Sequence, residues 1–223
     1  MQPRCSHKRT AALARTEVLV IVALAICLMG LLLLGLADPK AKVQRINCFS
    51  NLKAGECAFW LWTGDHNNRY PMELSTNDGG AREWMLEGKV AEVFRLMTNE
   101  FSTPKILFCP ADNRVWATNW SQFDNRHLSY FIGVDAPCLF NTNFSKARMS
   151  LFLYGDRNLT NDSPPENGIL QLAASQNTRW TAELHKDQGN ICLANGLVET
   201  LNNAGLREAA QANERVMSRL AIP

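Results

Sequence analysis

The sequence predicts an α+β protein, in which a long N-terminal helix precedes a small head with an antiparallel sheet. An uncharged run from Val18 to Ala37 can form a helix of about 30 Å. A second stretch, 83–97, places its apolar residues on roughly one side of a helix. Short β-prone runs divided by polar loops then follow at 105–109, 128–134, 149–154 and 168–172.

The N-terminal run is long enough to span a bilayer, and an acidic residue, Glu17, stands directly before it. A carboxylate at the centre of a membrane costs about 2.5 to 3.5 kcal/mol, and less near the interface. An ionisable residue that touches such a run is therefore a functional hypothesis. The alternative is that Glu17 only marks the water boundary.

The N-terminus is compatible with several kinds of processing. A secretory signal would be cut after Ala37, although its apolar region is normally shorter than this run. A lipoprotein signal would use Cys27, but Cys27 lies in the middle of the run. An uncut signal anchor is also possible, and the lysines and arginines on both sides of the run are too nearly balanced to fix its orientation.

The rest of the chain suits a single globular domain. The chain is 46% hydrophobic and 20% charged, which excludes a disordered tail, and its net charge of +2 gives no signature of nucleic-acid binding. The six tryptophans are scattered without clustered lysine or arginine, so we expect them to fill a core.

Local patterns place further elements. Apolar residues near helical spacing predict an amphipathic helix after the membrane run, ended by the turn formers of 63–68. The apolar stripe of that helix is Val43, Ile46, Phe49, Leu52 and Phe59. The segment 158–167 is expected to be an exposed loop, and an apolar stripe predicts a C-terminal helix over 204–220.

The segment 185–198 predicts a β-hairpin, because Asn195-Gly196 between β-prone runs favours a type I′ turn. His185 and Asp187 could form half of an acid/base pair, and Asp156 follows an apolar strand as a site residue might. No nucleophile elbow, phosphate loop or HExxH pattern accompanies them. We therefore interpret His185 as structural and expect Asp156 to cap or crosslink a strand end.

The residues from Ala12 to Ile21 resemble the processing site of type IV pilins and type II secretion pseudopilins. These proteins have a short basic leader, a small residue, a hydrophobic residue and a glutamate that opens an apolar helix. The resemblance implies that a prepilin peptidase cuts between Ala12 and Leu13 and methylates the new N-terminus. Glu17 would then be the fifth mature residue and would take part in assembly.

The similarity extends to 40–53, 106–112 and 185–198, which resemble segments of a pseudopilin-like group. It implies a disulfide between Cys48 and Cys109. Some major pseudopilins bind calcium through a C-terminal loop, so the resemblance also raises a calcium site at Asp187, Asn190 and Asn195. No other cofactor is expected.

The sequence-based hypothesis is a non-enzymatic, pilin-like subunit of a type II secretion pseudopilus or related filament. Its divisions are a leader (1–12), a transmembrane helix (13–37), a juxtamembrane amphipathic helix (38–62) and a periplasmic α+β head (63–223). Its expected partners are the lipid bilayer, its own or homologous subunits, prepilin peptidase and an assembly platform in the bacterial inner membrane. The rival hypothesis is a signal-anchored or secreted periplasmic domain with binding or hydrolytic activity.

Overall fold

The computed structural model describes residues 15–35, 39–136, 151–172, 177–212 and 218–223. The chain divides into two units, Met1–Lys42 and Val43–Pro223. The second unit thus begins within the segment predicted to be juxtamembrane and includes most of it. The predicted cleavage residues, Ala12 and Leu13, lie outside the described residues.

The first unit contains helix α1, Arg15–Gly35. Its described large apolar side chains, from Val18 to Leu31, are exposed, with Leu19 and Ile26 each 67% accessible. Residues 13, 14, 36 and 37 of the predicted transmembrane segment 13–37 lie outside the described residues. Among the described residues, no helix combines the length and apolarity needed to cross a membrane.

Helix α2, Pro39–Asp65, supplies one wall of the core of the second unit. The side chains of Cys48, Leu52 and Phe59 are fully buried and recur at helical spacing. The predicted stripe is therefore correct at Leu52 and Phe59. It is wrong at Val43 and Ile46, which are 54% and 56% exposed, because the buried face lies on the side that carries Cys48.

The predicted helix at 83–97 is two helices, α3 (Arg82–Leu86) and α4 (Val90–Leu96). Gly88 stands between them with a φ of +72°. A residue with left-handed backbone conformation cannot continue a right-handed α-helix, so the helix breaks at Gly88. The spacing of the apolar residues continues across this position and therefore gave no sign of the break.

The remaining elements form a six-stranded antiparallel sheet, a two-stranded sheet and helix α5 (Asn203–Ala212). The order in the larger sheet is β4-β8-β1-β2-β6-β7, and β3 pairs with β5. The strands are β1 (Tyr130–Gly133), β2 (Phe152–Asp156), β3 (Leu159–Thr160), β4 (Ile169–Leu172), β5 (Arg179–Trp180), β6 (Gln188–Leu193), β7 (Val198–Asn202) and β8 (Ser218–Ala221). The predicted α+β class with an N-terminal helix and an antiparallel sheet is confirmed.

Both faces of the larger sheet are buried. Tyr130 and Ile132 of β1 belong to the core beneath α2, α3 and α4, whereas Phe131 belongs to a second core with Trp180 of β5 and Leu206 of α5. This alternation follows from the two-residue period of a strand. The second unit therefore has three layers, with the sheet in the middle.

One predicted element is wrong and two are only partly correct. The expected strand 105–109 contains a 3-10 helix, Pro104–Leu107, which the Thr103 side chain caps by accepting a hydrogen bond from the amide of Lys105. The expected helix 204–220 ends as α5 at residue 212, and Leu220 lies on β8, between β4 and β1. The expected loop 158–167 is exposed from residue 162, but Asn158 and Asn161 are buried and β3 forms between them.

The other predicted strands are largely confirmed. The run 128–134 contains β1, and 168–172 contains β4. The run 149–154 overlaps β2, which starts at Phe152 and ends at Asp156, while residues 149 and 150 lie outside the described residues.

Candidate functional site

The densest cluster of reactive side chains in the described structure lies under α2, at the edge of the first core. It contains Cys48 of α2, Cys109 after the 3-10 helix, Asp156 at the end of β2 and His185 just before β6, and all four are buried. The disulfide expected between Cys48 and Cys109 is present, with the Cα atoms 5.3 Å apart. It joins α2 to the segment that leads towards β1.

His185 touches both the disulfide and a carboxylate. Its Nε2 atom lies 3.4 Å from Cys109 Sγ and 3.5 Å from Asp156 Oδ2. The imidazole is only 4% exposed and Asp156 is fully buried. The two polar side chains therefore meet in a low-dielectric environment.

Asn190 on the neighbouring strand β6 fixes the carboxyl group. Its backbone amide and its Nδ2 donate to Asp156 Oδ2 at 2.7 and 2.9 Å. Its own Oδ1 accepts a hydrogen bond from Thr200 Oγ1 of β7 at 2.7 Å. The expectation that Asp156 crosslinks a strand end is thus confirmed, and the crosslink continues across three strands.

Burial sets the protonation of this pair. It raises the pKa of Asp156 to about 7, with Asp112 adding to the increase and the two Asn190 hydrogen bonds opposing it. Burial, helped by Arg45, lowers the pKa of His185 to about 4. Although the two groups lie at ion-pair distance, the pair between these pKa values is a neutral imidazole beside a protonated carboxyl.

A second polar network lies next to the cluster. Arg157 donates two hydrogen bonds to the buried Asp112, from Nη2 to Oδ1 at 2.7 Å and from Nε to Oδ2 at 2.9 Å. It also pairs with the exposed Glu183 at 3.0 Å. Burial raises the pKa of Asp112, but the hydrogen bonds and the charge of Arg157, with a hydrogen bond from the amide of Arg114, outweigh it, so the net pKa is lowered. This bidentate pair fastens the segment after Cys109 to the end of β2.

The structure does not bring the three residues of the possible calcium site together. Asp187 is exposed before β6, and Asn195 is exposed beyond its other end. The six-residue strand between them is about 20 Å long. Asn190 is buried, and its side-chain oxygen already accepts from Thr200.

The β6–β7 hairpin is present, but its turn is not type I′. Only Gly196 has positive φ, at +79°, whereas a type I′ turn would need it at Asn195 as well. Leu193 accepts a hydrogen bond from the amide of Gly196 and donates to the carbonyl of Leu197, which gives a longer loop. Asn195 Oδ1 instead accepts from the amide of Leu197 at 2.9 Å.

Glu17 is exposed in the first turn of α1, in the other unit of the chain. Leu13, which would become the new N-terminal residue after cleavage, lies outside the described residues. Comparison of the chain with protein-family models, curated proteins and solved structures finds no match.

The acid beside His185 is Asp156 and not Asp187, which was the candidate partner from the sequence. Asp187, two positions away, has a φ of +61° in the exposed turn before β6. The partner is Asp156, which comes close because β2 and β6 pair with Gly155 opposite Ile191. No local pattern in the sequence reports this register.

Proposed function

We propose that this chain is a pilin-like structural subunit that assembles through its N-terminal helix into a type II secretion pseudopilus or a related filament. The observation that carries the proposal is the surface of α1. After Glu17 it has no charged residue, and its described large apolar side chains are 45–67% exposed. An apolar surface of this kind requires lipid or other helices around it.

Glu17 supplies the specificity of that packing. Cleavage after Ala12 would create a positively charged amine at Leu13, about one helical turn from the carboxylate. An unpaired charge is strongly disfavoured where the dielectric constant is low. Pairing of Glu17 in one subunit with the amine of its neighbour would offset both charges and fix the axial register of the helices.

The construction of the head supports a structural role. The disulfide, the Asp156–Asn190–Thr200 hydrogen bonds and the Arg157–Asp112 pair crosslink α2, the loop after Cys109 and three strands. The His185 and Asp156 side chains are buried, which favours a packing role over hydrolysis of a substrate. The proposed location is the bacterial inner membrane, with a single span and the head in the periplasm. The proposed partners are lipid, like subunits, prepilin peptidase and the assembly platform.

Crosslinking of neighbouring subunits in membranes tests the proposal. Cys27 is an exposed free thiol on α1 and reports helix proximity without an added residue. A Cys57→Ser substitution removes the exposed thiol among the described residues of the head, and Cys5→Ser and Cys138→Ser are added so that Cys27 is the reporter. We expect Glu17→Gln to insert normally but to lose most of the Cys27 crosslink, and Glu17→Asp to lose part of it because its side chain is shorter.

The matched control is Glu166→Gln, which neutralises an exposed glutamate in the head and should leave crosslinking unchanged. The cleavage state of the leader is measured on the same samples. If Glu17→Gln crosslinks as well as the wild-type chain, Glu17 is a boundary residue and the assembly proposal fails.

A further inference from the structure

Four side chains of types that bind transition metals converge at one buried point of the head. Cys48, Cys109, Asp156 and His185 each offer one ligand atom, and these atoms all lie within 4.8 Å of one another. They come from four separate segments of the chain, so the fold itself creates the cluster. Two thiolates, one imidazole and one carboxylate make a ligand set suited to zinc.

The spacing of these atoms is close to that of a tetrahedral site. Zinc binds sulfur at about 2.3 Å and nitrogen or oxygen at about 2.0–2.2 Å, which places neighbouring ligand atoms about 3.3–3.8 Å apart. His185 Nε2 is already 3.4 Å from Cys109 Sγ and 3.5 Å from Asp156 Oδ2. The two sulfur atoms, now bonded to each other, would have to separate, and the remaining pairs of ligand atoms already lie within 4.8 Å.

Two further observations point to a ligand at this place. Asp156 Oδ1 is buried and has no hydrogen-bond partner among the described residues, although such an atom is costly to leave unsatisfied. Asp156 Oδ2 is held by Asn190, whose side chain is oriented in turn by Thr200. A carboxylate anchored by an outer layer of hydrogen bonds is typical of metal sites.

We propose that the head, when its Cys48–Cys109 disulfide is reduced, binds one zinc ion through Cys48, Cys109, Asp156 and His185. A dithiol reductant transfers two electrons and two protons to the S–S bond and closes its own disulfide. Cys48 and Cys109 become thiols. As zinc binds, it displaces their two protons and the proton of the Asp156 carboxyl, while the neutral His185 imidazole supplies a nitrogen lone pair. The same point of the head then carries either of two crosslinks between α2 and the sheet, a disulfide when oxidised and a metal ion when reduced.

The proposal is independent of filament assembly and is tested by metal titration. The full chain in detergent is compared in two states, oxidised and reduced with a phosphine that is then removed without air. Zinc binding is measured in competition with a chromophoric chelator, and cobalt replaces zinc for spectroscopy. Both states are prepared in a Cys5→Ser/Cys138→Ser background. Among the described cysteines, Cys27, Cys57 and Cys192 are free in the oxidised state as well, so the difference between the two states then reports the Cys48–Cys109 pair.

We expect one zinc per reduced chain, bound at least about 100-fold more tightly than by the oxidised chain, since losing even an outer-layer partner costs 10–100-fold. Cobalt should give the absorption of a tetrahedral site with thiolate ligands. His185→Ala should weaken zinc binding to a similar degree. The matched control is His127→Ala, which removes a histidine that lies 2.8 Å from Asp124 and does not belong to the four-residue cluster, and it should bind like the wild-type chain.

Equal zinc affinity in the oxidised and reduced chains would overturn the proposal. So would a reduced His185→Ala chain that binds as tightly as the reduced wild type. Circular dichroism shows whether reduction unfolds the head. If it does, the proposal predicts that added zinc restores the native spectrum. If zinc does not restore it, the cluster is not a metal site.

Discussion

Removing either member of the His185–Asp156 pair should make the stability of the head depend on pH, with opposite signs for the two variants. In the wild-type chain the folded pair holds one proton on Asp156 between about pH 4 and pH 7. In the unfolded chain His185, with its ordinary pKa of 6.5, holds one proton over most of the same range. Folding then moves a proton from one residue to the other without net uptake. The free energy of unfolding should therefore depend little on pH through this pair from pH 4 to 6.5.

In Asp156→Asn, only the imidazole titrates. Its pKa is lowered by burial and by Arg45, and neither cause involves Asp156. The unfolded chain then binds more protons than the folded one below pH 6.5, so stability falls as the pH is lowered from 6.5 to about 4. Each pH unit is worth about 1.4 kcal/mol, which gives a loss of up to about 3 kcal/mol.

In His185→Gln, only the carboxyl group titrates, and the causes of its raised pKa do not involve His185. The folded chain binds more protons than the unfolded one above the ordinary pKa of 3.8, so stability falls as the pH rises towards about 7. The full effect is a loss of up to about 4 kcal/mol.

Urea unfolding of the full chain in mild detergent gives the free energy of unfolding of each variant at about pH 4.5 and pH 6.5. Tryptophan fluorescence is the signal. Trp62 and Trp180 are buried and report loss of the head. Over these two pH units we expect the free energy of unfolding to rise by about 2 kcal/mol in Asp156→Asn and to fall by about 2.5 kcal/mol in His185→Gln. Slopes of the same sign, or two flat profiles, would refute the neutral-pair assignment.

Three further changes probe the rest of the head by thermal or urea unfolding. Replacing Cys48 and Cys109 together by alanine should cost about 4 kcal/mol, because the disulfide closes a loop with a sequence separation of 61 residues; an unchanged midpoint would mean that the bridge does not form. Gly196→Val should cost about 1–3 kcal/mol, since its φ is +79°, while Asn195→Asp should be tolerated; equal melting of both variants would contradict the turn described above. Arg157→Ala should cost about 3–5 kcal/mol by leaving a buried carboxylate unpaired, and a loss below 1 kcal/mol would show that this carboxylate is solvated.

The sequence predicted the elements whose pattern is local. The apolar run of α1 and the β-prone runs of β1 and β4 depend on near neighbours, and all three appear where expected. The break at Gly88 was missed because an apolar helical pattern does not report the φ of one glycine. The C-terminal strand β8 was missed because its place between β4 and β1 is decided by pairing partners far along the chain.

In the candidate site, too, local patterns were predicted and long-range contacts were not. The resemblance of the segments around Cys48 and Cys109 was enough to predict their bridge. The meeting of His185 with Asp156 depends instead on the register between β2 and β6, which is set by long-range packing. Asn195-Gly196 correctly marked the hairpin, but the length of the loop decided its turn type.

The N-terminus of the mature protein tests the central claim most directly. Intact-mass and N-terminal peptide analysis of membrane-derived protein would identify the first residue and any methylation. The assembly proposal predicts a chain that begins at Leu13 with a methylated amine. A chain that begins at Asp38 would contradict it in favour of secretion, and an uncut chain that still begins at Met1 would contradict it in favour of a simple membrane anchor.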